Sequence, residues 1–139
     1  GDARKQDAID DAEKAMSSLV KGMEKTVSGL YYTITKEGEG EHPPKGANVS
    51  VHYSGTLVDG TVFDSNQNRD RPFSTKIGVH RVIKCWDEGV PQLTKTQKAI
   101  FTCPPDFAYG TRGAGCKPNG SCVIPPNATI KFSVELLDF

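Results

Sequence analysis

From Leu30 onward, several short segments alternate apolar and polar residues, and turn residues separate these segments. Residues 49–53 and 130–136 show the alternation most clearly. A period of two places every second side chain on the same face, which is typical of β-strands with one buried face. Asp59-Gly60 lies between two such segments and is a strong signal for a β-hairpin. The pattern therefore predicts an antiparallel sheet built from short strands.

Two segments break this pattern. Residues 83–90 are too short for anything except a brief helix, which Pro91 would end. Residues 1–28 carry apolar residues every three or four positions, which predicts a longer helix. Gly29 follows at the position of a helix cap. We therefore predict an α+β fold, in which an antiparallel β-sheet wraps over one short α-helix and an N-terminal α-helix comes first.

The change of period divides the chain into an N-terminal helical extension, residues 1–28, and a domain of residues 29–139. A length of 139 residues fits one compact domain with such an appendage. The extension would either pack on or extend from its own domain, or bind a partner or a second copy to form a dimer. The sequence leaves these alternatives open.

The overall charge excludes some classes of partner. Lysine plus arginine and aspartate plus glutamate each number 17, so no basic excess points to nucleic acid. No polybasic cluster points to a membrane surface, and no run of 18 apolar residues predicts membrane insertion. The first residues lack the apolar core of a signal peptide, although a removed signal would leave no trace.

Four cysteines bear on the redox compartment. Cys116 and Cys122 close a short loop of turn-forming residues, which favours a disulfide between them, whereas Cys85 and Cys103 could pair or remain buried thiols. Three Asn-X-Ser/Thr sequons add a weak signal for secretion. Together these features favour a secreted or secretory-lumen protein over a cytoplasmic one without fixing the compartment. The histidines and cysteines lack the spacing of a zinc site, so we predict no metal.

Two stretches, residues 51–64 and 82–90, carry most of the remaining information. Neither contains a nucleophile with its base, a phosphate-binding loop or a metal cluster. They supply aromatic and aliphatic side chains around the carboxylate of Asp64. This combination is typical of a small apolar pocket.

These stretches belong to a series of motifs that becomes recognisable when read in order. The motifs are Val-His-Tyr-Ser-Gly (51–55), Asp-Gly-Thr-Val-Phe-Asp-Ser (59–65), Arg-Pro-Phe (71–73), Val-Ile-Lys-Cys-Trp-Asp-Glu-Gly-Val (82–90), Pro-Pro-Asp-Phe-Ala-Tyr-Gly (104–110), Val-Ile-Pro-Pro-Asn-Ala-Thr (123–129) and Phe-Ser-Val-Glu-Leu-Leu (132–137). In this order, they make residues 30–139 resemble the FKBP-type peptidyl-prolyl cis–trans isomerases. The resemblance implies a curved antiparallel sheet with a short helix across its concave face. The N-terminal extension loosely resembles the dimerising helices of Mip-type members.

The resemblance also implies a pocket between the helix and the sheet. Its catalytic residues would be Tyr53, Phe63, Asp64, Trp86, Tyr109 and Phe132. Its further substrate- and ligand-binding residues would be Arg69, Phe73, Val82, Ile83, Ala108 and Ile124. Trp86 would form the floor, and the hydroxyl of Tyr109 would face a substrate carbonyl. Asp64 and Arg69 would be polar groups at the rim.

The activity implied is rotation about X–Pro peptide bonds in protein substrates, without a cofactor, together with assistance to protein folding and binding of the macrolides rapamycin and tacrolimus. The alternative is a non-catalytic binding module or chaperone that uses the pocket and the N-terminal helix to recognise partners. Two departures affect ligand preference. Cys85 stands where many members have glycine, and the loop of residues 111–123 is longer than in compact members.

Overall fold

The computed structural model describes residues 20–26, 28–66 and 70–139. Its strands are β1 (Glu24–Lys25), β2 (Tyr31–Lys36), β3 (Asn48–Leu57), β4 (Val62–Asn66), β5 (Phe73–Lys76), β6 (Lys98–Cys103), β7 (Ala114–Cys116), β8 (Cys122–Ile124) and β9 (Ile130–Asp138). A short helix, α1 (Lys84–Gly89), runs into a 3-10 turn at Val90–Gln92, and a second 3-10 turn covers Pro105–Phe107. No helix in these ranges is long and apolar enough to cross a membrane.

The main sheet is antiparallel and has the strand order β1-β2-β6-β9-β3-β4. Strand β5 also pairs with β3, alongside residues 48–51, whereas β4 pairs with residues 53–56. One long strand therefore carries two short partners on the same edge. Strands β7 and β8 form a separate two-stranded hairpin.

The core lies between α1 and one face of the main sheet. Inward side chains of β3, β6 and β9 are fully or almost fully buried there, as are Cys85, Trp86 and Gly89 on α1. A Cβ atom on Gly89 would lie 2.9 Å from the ring of Phe101 on β6. Glycine at this position therefore lets the helix lie closer to the sheet than any other residue would. A disulfide between Cys85 and Cys103 also joins α1 to β6.

The predicted antiparallel sheet with one short helix is confirmed. Residues 83–90 contain α1, and the 3-10 turn that follows includes Pro91. Asp59-Gly60 lies at the turn between β3 and β4, where the amide of Gly60 donates to the carbonyl of Leu57. Strands β2, β3, β6 and β9 occupy the segments with the clearest alternation.

The predicted N-terminal helix is wrong for residues 20–26, and residues 1–19 lie outside the described ranges. Gly22 has a left-handed φ of +79°, and Glu24–Lys25 pair with Tyr31–Tyr32 at the edge of the sheet. Strand pairing gives these backbone groups hydrogen bonds that a helix ending at residue 28 would have formed internally. The sheet therefore extends into the segment that we assigned to the extension. Dimerisation through an N-terminal helix stays a prediction.

Candidate active site

A cavity of about 490 Å³ is lined by the start of α1, by the sheet and by two loops. Its walls combine aromatic, aliphatic and polar side chains. The lining residues are Tyr53, Asp64, Phe73, His80, Arg81, Val82, Ile83, Trp86, Tyr109 and Phe132. The segments that contribute them are far apart in the sequence, so only the folded sheet and helix bring them together.

Trp86 is the central aromatic residue of the cavity. It is only 4% exposed, and its ring meets three others edge-on: Tyr53 at 5.0 Å, Phe132 at 5.4 Å and Phe73 at 5.6 Å between centroids. Edge-to-face pairs of this kind contribute about 0.5–1.5 kcal/mol each beyond the area they bury. The rings therefore hold one another in fixed orientations and form a rigid apolar surface.

A glycine on β3 allows the wall formed by Phe132 to pack tightly. Gly55 pairs with Phe132 across the sheet, and a Cβ atom at this position would lie 2.7 Å from the Phe132 ring and 2.6 Å from the Phe63 ring. Phe63 does not line the cavity but packs edge-on against Phe132, with 5.5 Å between centroids. Phe63 therefore supports the wall from behind.

Asp64 and Tyr53 are joined by a hydrogen bond at the cavity. The Tyr53 hydroxyl donates to one carboxylate oxygen of Asp64 at 2.9 Å, and the amide of Ser65 donates to the other at 2.8 Å. Burial, together with the hydrogen bond to Asp64, raises the pKa of Tyr53 to about 12. The tyrosine therefore stays protonated at neutral pH, and the carboxylate is held in one orientation.

Tyr109 follows the 3-10 turn at Pro105–Phe107 and is partly buried in the cavity wall. Burial raises the pKa of Tyr109, and the charge of Asp64 acts in the same direction. Its hydroxyl has no hydrogen-bond partner in the part of the chain that the structure describes. A neutral phenol with a free hydroxyl at an apolar cavity is suited to donate to a ligand carbonyl.

The remaining wall is a loop that leads into α1. Asp87 on α1 accepts hydrogen bonds from the amides of Gly78 and His80, at 2.9 and 2.7 Å. His80 has a left-handed φ of +63°, which is uncommon for a residue other than glycine. These two bonds hold the loop, and Val82 and Ile83, which come after Arg81 and directly before α1, form the aliphatic part of the wall.

The structure brings most of the motif residues to the cavity and places others elsewhere. Ile124 lies in the core, at 3% exposure, and Ala108 packs against the core beside Tyr109. Arg69 lies outside the described ranges. His80 and Arg81 line the cavity although we did not predict them, since an exposed basic residue gives no pattern. The sequence signal that could have placed them at the site is their position directly before Val82.

All four cysteines form disulfides, Cys85 with Cys103 and Cys116 with Cys122. The predicted pairing of Cys116 with Cys122 is thus present, at the end of the β7–β8 hairpin, and the alternative of free thiols at the other pair does not hold. Among the residues in the described ranges, no three histidine, cysteine or acidic side chains are grouped to hold a metal ion.

Comparisons with known proteins agree on one family. The family model described as FKBP-type peptidyl-prolyl cis-trans isomerase matches residues 39–137. FK506-binding protein 1 of Dictyostelium discoideum is 52% identical over 111 residues, which cover 80% of this chain and 98% of that protein. The peptidyl-prolyl cis-trans isomerase Fkbp12 of Drosophila melanogaster is 52% identical over 78% of this chain and 96% of its own length. The crystal structure of AtFKBP13 superposes with a TM-score of 0.76 at 40% identity, covering 84% of this chain and 97% of that one.

Proposed function

The chain belongs to the FKBP-type peptidyl-prolyl cis–trans isomerases, and we propose that it accelerates rotation about X–Pro bonds by stabilising the twisted amide in the aromatic cavity. The observation that carries this proposal is the rigid cluster of edge-on rings around Trp86, open to ligand on one side, with the free hydroxyl of Tyr109 beside it. Rotation stabilised in this way requires no nucleophile, base or cofactor.

The physical reason lies in the charge distribution of the amide. Resonance gives the C–N bond double-bond character, and the barrier to rotation is about 18–20 kcal/mol. Water stabilises the planar, charge-separated amide by hydrogen bonding to its oxygen. The twisted transition state has lost that charge separation, so an apolar site favours it over the ground state. Each preference of about 1.4 kcal/mol increases the rate about tenfold.

The cavity residues have different roles in this mechanism. Trp86, Phe73 and Phe132 surround the proline ring and exclude water from the rotating bond. Tyr109 donates its hydroxyl to the carbonyl of the residue before the proline and so orients the peptide. Asp64 fixes Tyr53 through their hydrogen bond and contributes a negative charge at the edge of the cavity.

We extend the proposal to ligands and to the role in the cell. The same apolar cavity would bind rapamycin and tacrolimus, because a ligand that fills the space of a proline ring buries the same aromatic surface. Acting on exposed X–Pro bonds, the enzyme would speed a folding step that otherwise takes tens to hundreds of seconds.

The test is protease-coupled isomerisation of a Leu-Pro-Phe peptide with and without rapamycin. Trp86→Leu should lower kcat/KM at least tenfold, whereas Phe101→Leu removes a buried ring outside the cavity and serves as the control for lost stability. Tyr109→Phe should lower kcat/KM several-fold while Tyr31→Phe, outside the cavity, has no effect. Folded wild-type protein without activity would refute the proposal and favour a binding module.

The role of Asp64 needs two variants because its charge and its hydrogen bond act together. Asp64→Asn keeps an acceptor for Tyr53 but removes the charge, and Asp64→Ala removes both. Equal rates for wild type and Asp64→Asn would assign the residue to positioning alone. Equal rates for all three folded proteins would remove Asp64 from the mechanism.

A further inference from the structure

The three Asn-X-Ser/Thr sequons lie in different parts of the fold. Asn48 is the first residue of β3, Asn119 lies in the turn between β7 and β8, and Asn127 lies in the loop before β9. An N-linked glycan is bulky and hydrated, so its asparagine has to lie on a surface loop. The fold therefore decides which of the three asparagines is suited to carry a glycan.

The sequon of Asn48 is part of the main sheet. Its middle residue, Val49, is buried in the core. The hydroxyl of Ser50 forms a hydrogen bond of 3.2 Å with the hydroxyl of Ser74 on the neighbouring strand β5. Asn48 itself pairs with Lys76 of the same strand. A sequon held along a strand in this way is a poor acceptor for a bulky group.

The sequon of Asn127 lies against the body of the domain. Its middle residue, Ala128, packs against the core, and Thr129 is half-buried. The backbone amide of Asn127 donates to the carbonyl of Gly110 at 2.8 Å, next to the cavity residue Tyr109. This loop is therefore tied to the domain both by packing and by a backbone hydrogen bond.

The sequon of Asn119 is exposed at all three of its residues, unlike the other two. The side-chain oxygen of Asn119 accepts the backbone amide of Ser121 at 3.0 Å, so the two residues that define the acceptor motif lie side by side. Within residues 20–26, 28–66 and 70–139, the side-chain nitrogen of Asn119 and the hydroxyl of Ser121 have no hydrogen-bond partner. Both groups are therefore accessible from solvent.

A disulfide holds this turn at the end of the β7–β8 hairpin. Cys116 is bonded to Cys122, and the amide of Lys117 donates to the carbonyl of Ser121 at 2.7 Å. Residues 116–122 do not line the aromatic cavity. A glycan on Asn119 would therefore extend into solvent without displacing a packed side chain or filling the cavity.

The state of the cysteines fits the compartment in which N-glycans are added. All four cysteines form disulfides, and none is free. Disulfides persist in the secretory pathway and outside the cell but are rare in the cytosol. N-glycosylation takes place in the same oxidising pathway, so the disulfides and the exposed sequon point to the same history of the chain.

We propose that Asn119 is an N-glycosylation site. The co-substrate is an oligosaccharide bound to a lipid diphosphate. The side-chain nitrogen of Asn119 forms a bond to the anomeric carbon of the first sugar and loses one proton. The bond from that carbon to the diphosphate oxygen breaks, and the lipid diphosphate leaves with the electron pair. This inference goes beyond the proposed isomerase function and does not depend on it.

The first experiment uses the protein from the organism that makes it. Peptide N-glycosidase in water labelled with heavy oxygen converts a glycosylated asparagine to labelled aspartate, which peptide mapping by mass spectrometry locates. A sample without the enzyme corrects for spontaneous deamidation at Asn119-Gly120. We expect enzyme-dependent label at Asn119 and none at Asn48 or Asn127. Unmodified Asn119, or label at another sequon instead, would overturn the inference.

The second experiment uses variants of the full chain secreted from a eukaryotic host. Asn119→Gln and Ser121→Ala should each remove the whole glycan mass from the intact protein, whereas Ser121→Thr should keep it. Asn48→Gln and Asn127→Gln are the matched controls and should also keep it. Secreted wild type without a glycan, or a glycan that persists in Asn119→Gln, would overturn the assignment. So would its loss in either control.

Discussion

Replacing Gly55 by alanine is the most direct test of how the aromatic wall is built. The new Cβ would lie 2.6 Å from the Phe63 ring and 2.7 Å from the Phe132 ring, whereas ordinary contacts are 3.4–4 Å. The rings must therefore retreat by about 1 Å to restore a normal contact distance. Phe63 lies behind the wall and Phe132 lines the cavity, so part of that movement enters the site.

The expected magnitudes follow from the crowding. Overpacking of a well-packed core usually costs about 1–3 kcal/mol, and we expect Gly55→Ala to lower the free energy of unfolding by this amount. Phe132 also contacts the rings of Trp86 and Tyr53, so its displacement disturbs the whole cluster. A misplacement of about 1 Å at an active site can lower the rate about 100-fold. We expect kcat/KM of the folded variant to fall at least tenfold.

Gly60→Ala is the matched control on the same hairpin. Gly60 has a φ of +92°, and a Cβ atom added there would have no heavy atom within 4 Å, so alanine at this position is strained but touches nothing. The strain should cost about 1–2 kcal/mol of stability without moving the cavity rings. Urea unfolding, peptide isomerisation and rapamycin binding are measured on both variants. Equal kcat/KM for folded Gly55→Ala and Gly60→Ala would refute the reasoning.

Three further predictions concern stability. The pKa of Tyr53 is raised to about 12 in the folded protein. The contribution of this group to the free energy of unfolding is therefore complete below the unfolded pKa near 10 and is lost as pH rises toward 12. The stability advantage of wild type over Tyr53→Phe should therefore shrink by about 1 kcal/mol in urea unfolding between those pH values, after discounting for solvent screening; a constant advantage would contradict this. Replacing Cys85 and Cys103 together by alanine should lower the free energy of unfolding by about 3 kcal/mol, because an 18-residue separation is no longer closed; a change below about 1 kcal/mol would contradict the role of the disulfide. Gly89→Ala should cost about 1–3 kcal/mol by crowding the Phe101 ring, and Phe101→Leu in the same chain should recover part of that loss; additive losses in the double variant would contradict direct contact.

The long strands could be predicted from the sequence because each contains enough residues for alternation with a period of two to be recognised. Strand β9 covers nine residues and alternates throughout, as the pattern at 130–136 indicated. Strands β1, β7 and β8 are two or three residues long, and a period of two cannot be recognised over that length. They form because a neighbouring strand or hairpin partner supplies hydrogen bonds, which is information from the tertiary structure.

The error at residues 20–26 has the same origin. Met23 lies four residues after Leu19 and four before Val27, a spacing that fits a helical face. In the structure, the left-handed turn at Gly22 and the pairing of Glu24–Lys25 with β2 replace that helix. Apolar spacing over about two turns is weak support for a helix. Pairing with the adjacent strand β2 is the stronger interaction for this segment.

The aromatic part of the candidate site could be predicted from the sequence. The part that the loop before α1 contributes could not. Trp86 and Phe132 were assigned to the site by the resemblance of their motifs to the family, since a large ring taken alone fits the core equally well. The hydrogen bonds from Gly78 and His80 to Asp87 link residues nine and seven positions apart through an irregular loop. No residue pattern encodes such bonds, so His80 and Arg81 entered the site only with the fold.

The two sides of the cavity are therefore held by different means, and this has a functional consequence. On one side, paired strands fix Gly55 against Phe132, so a substitution there displaces rings that every substrate must contact. On the other side, a single carboxylate, that of Asp87, holds the loop before α1 through the amides of Gly78 and His80, and the side chains of His80 and Arg81 are exposed to solvent. Substitutions of Arg81 change charge without moving the rings. Changes on the sheet side should therefore alter the rate for all X–Pro peptides, whereas substitutions of the exposed Arg81 should have smaller effects on that rate.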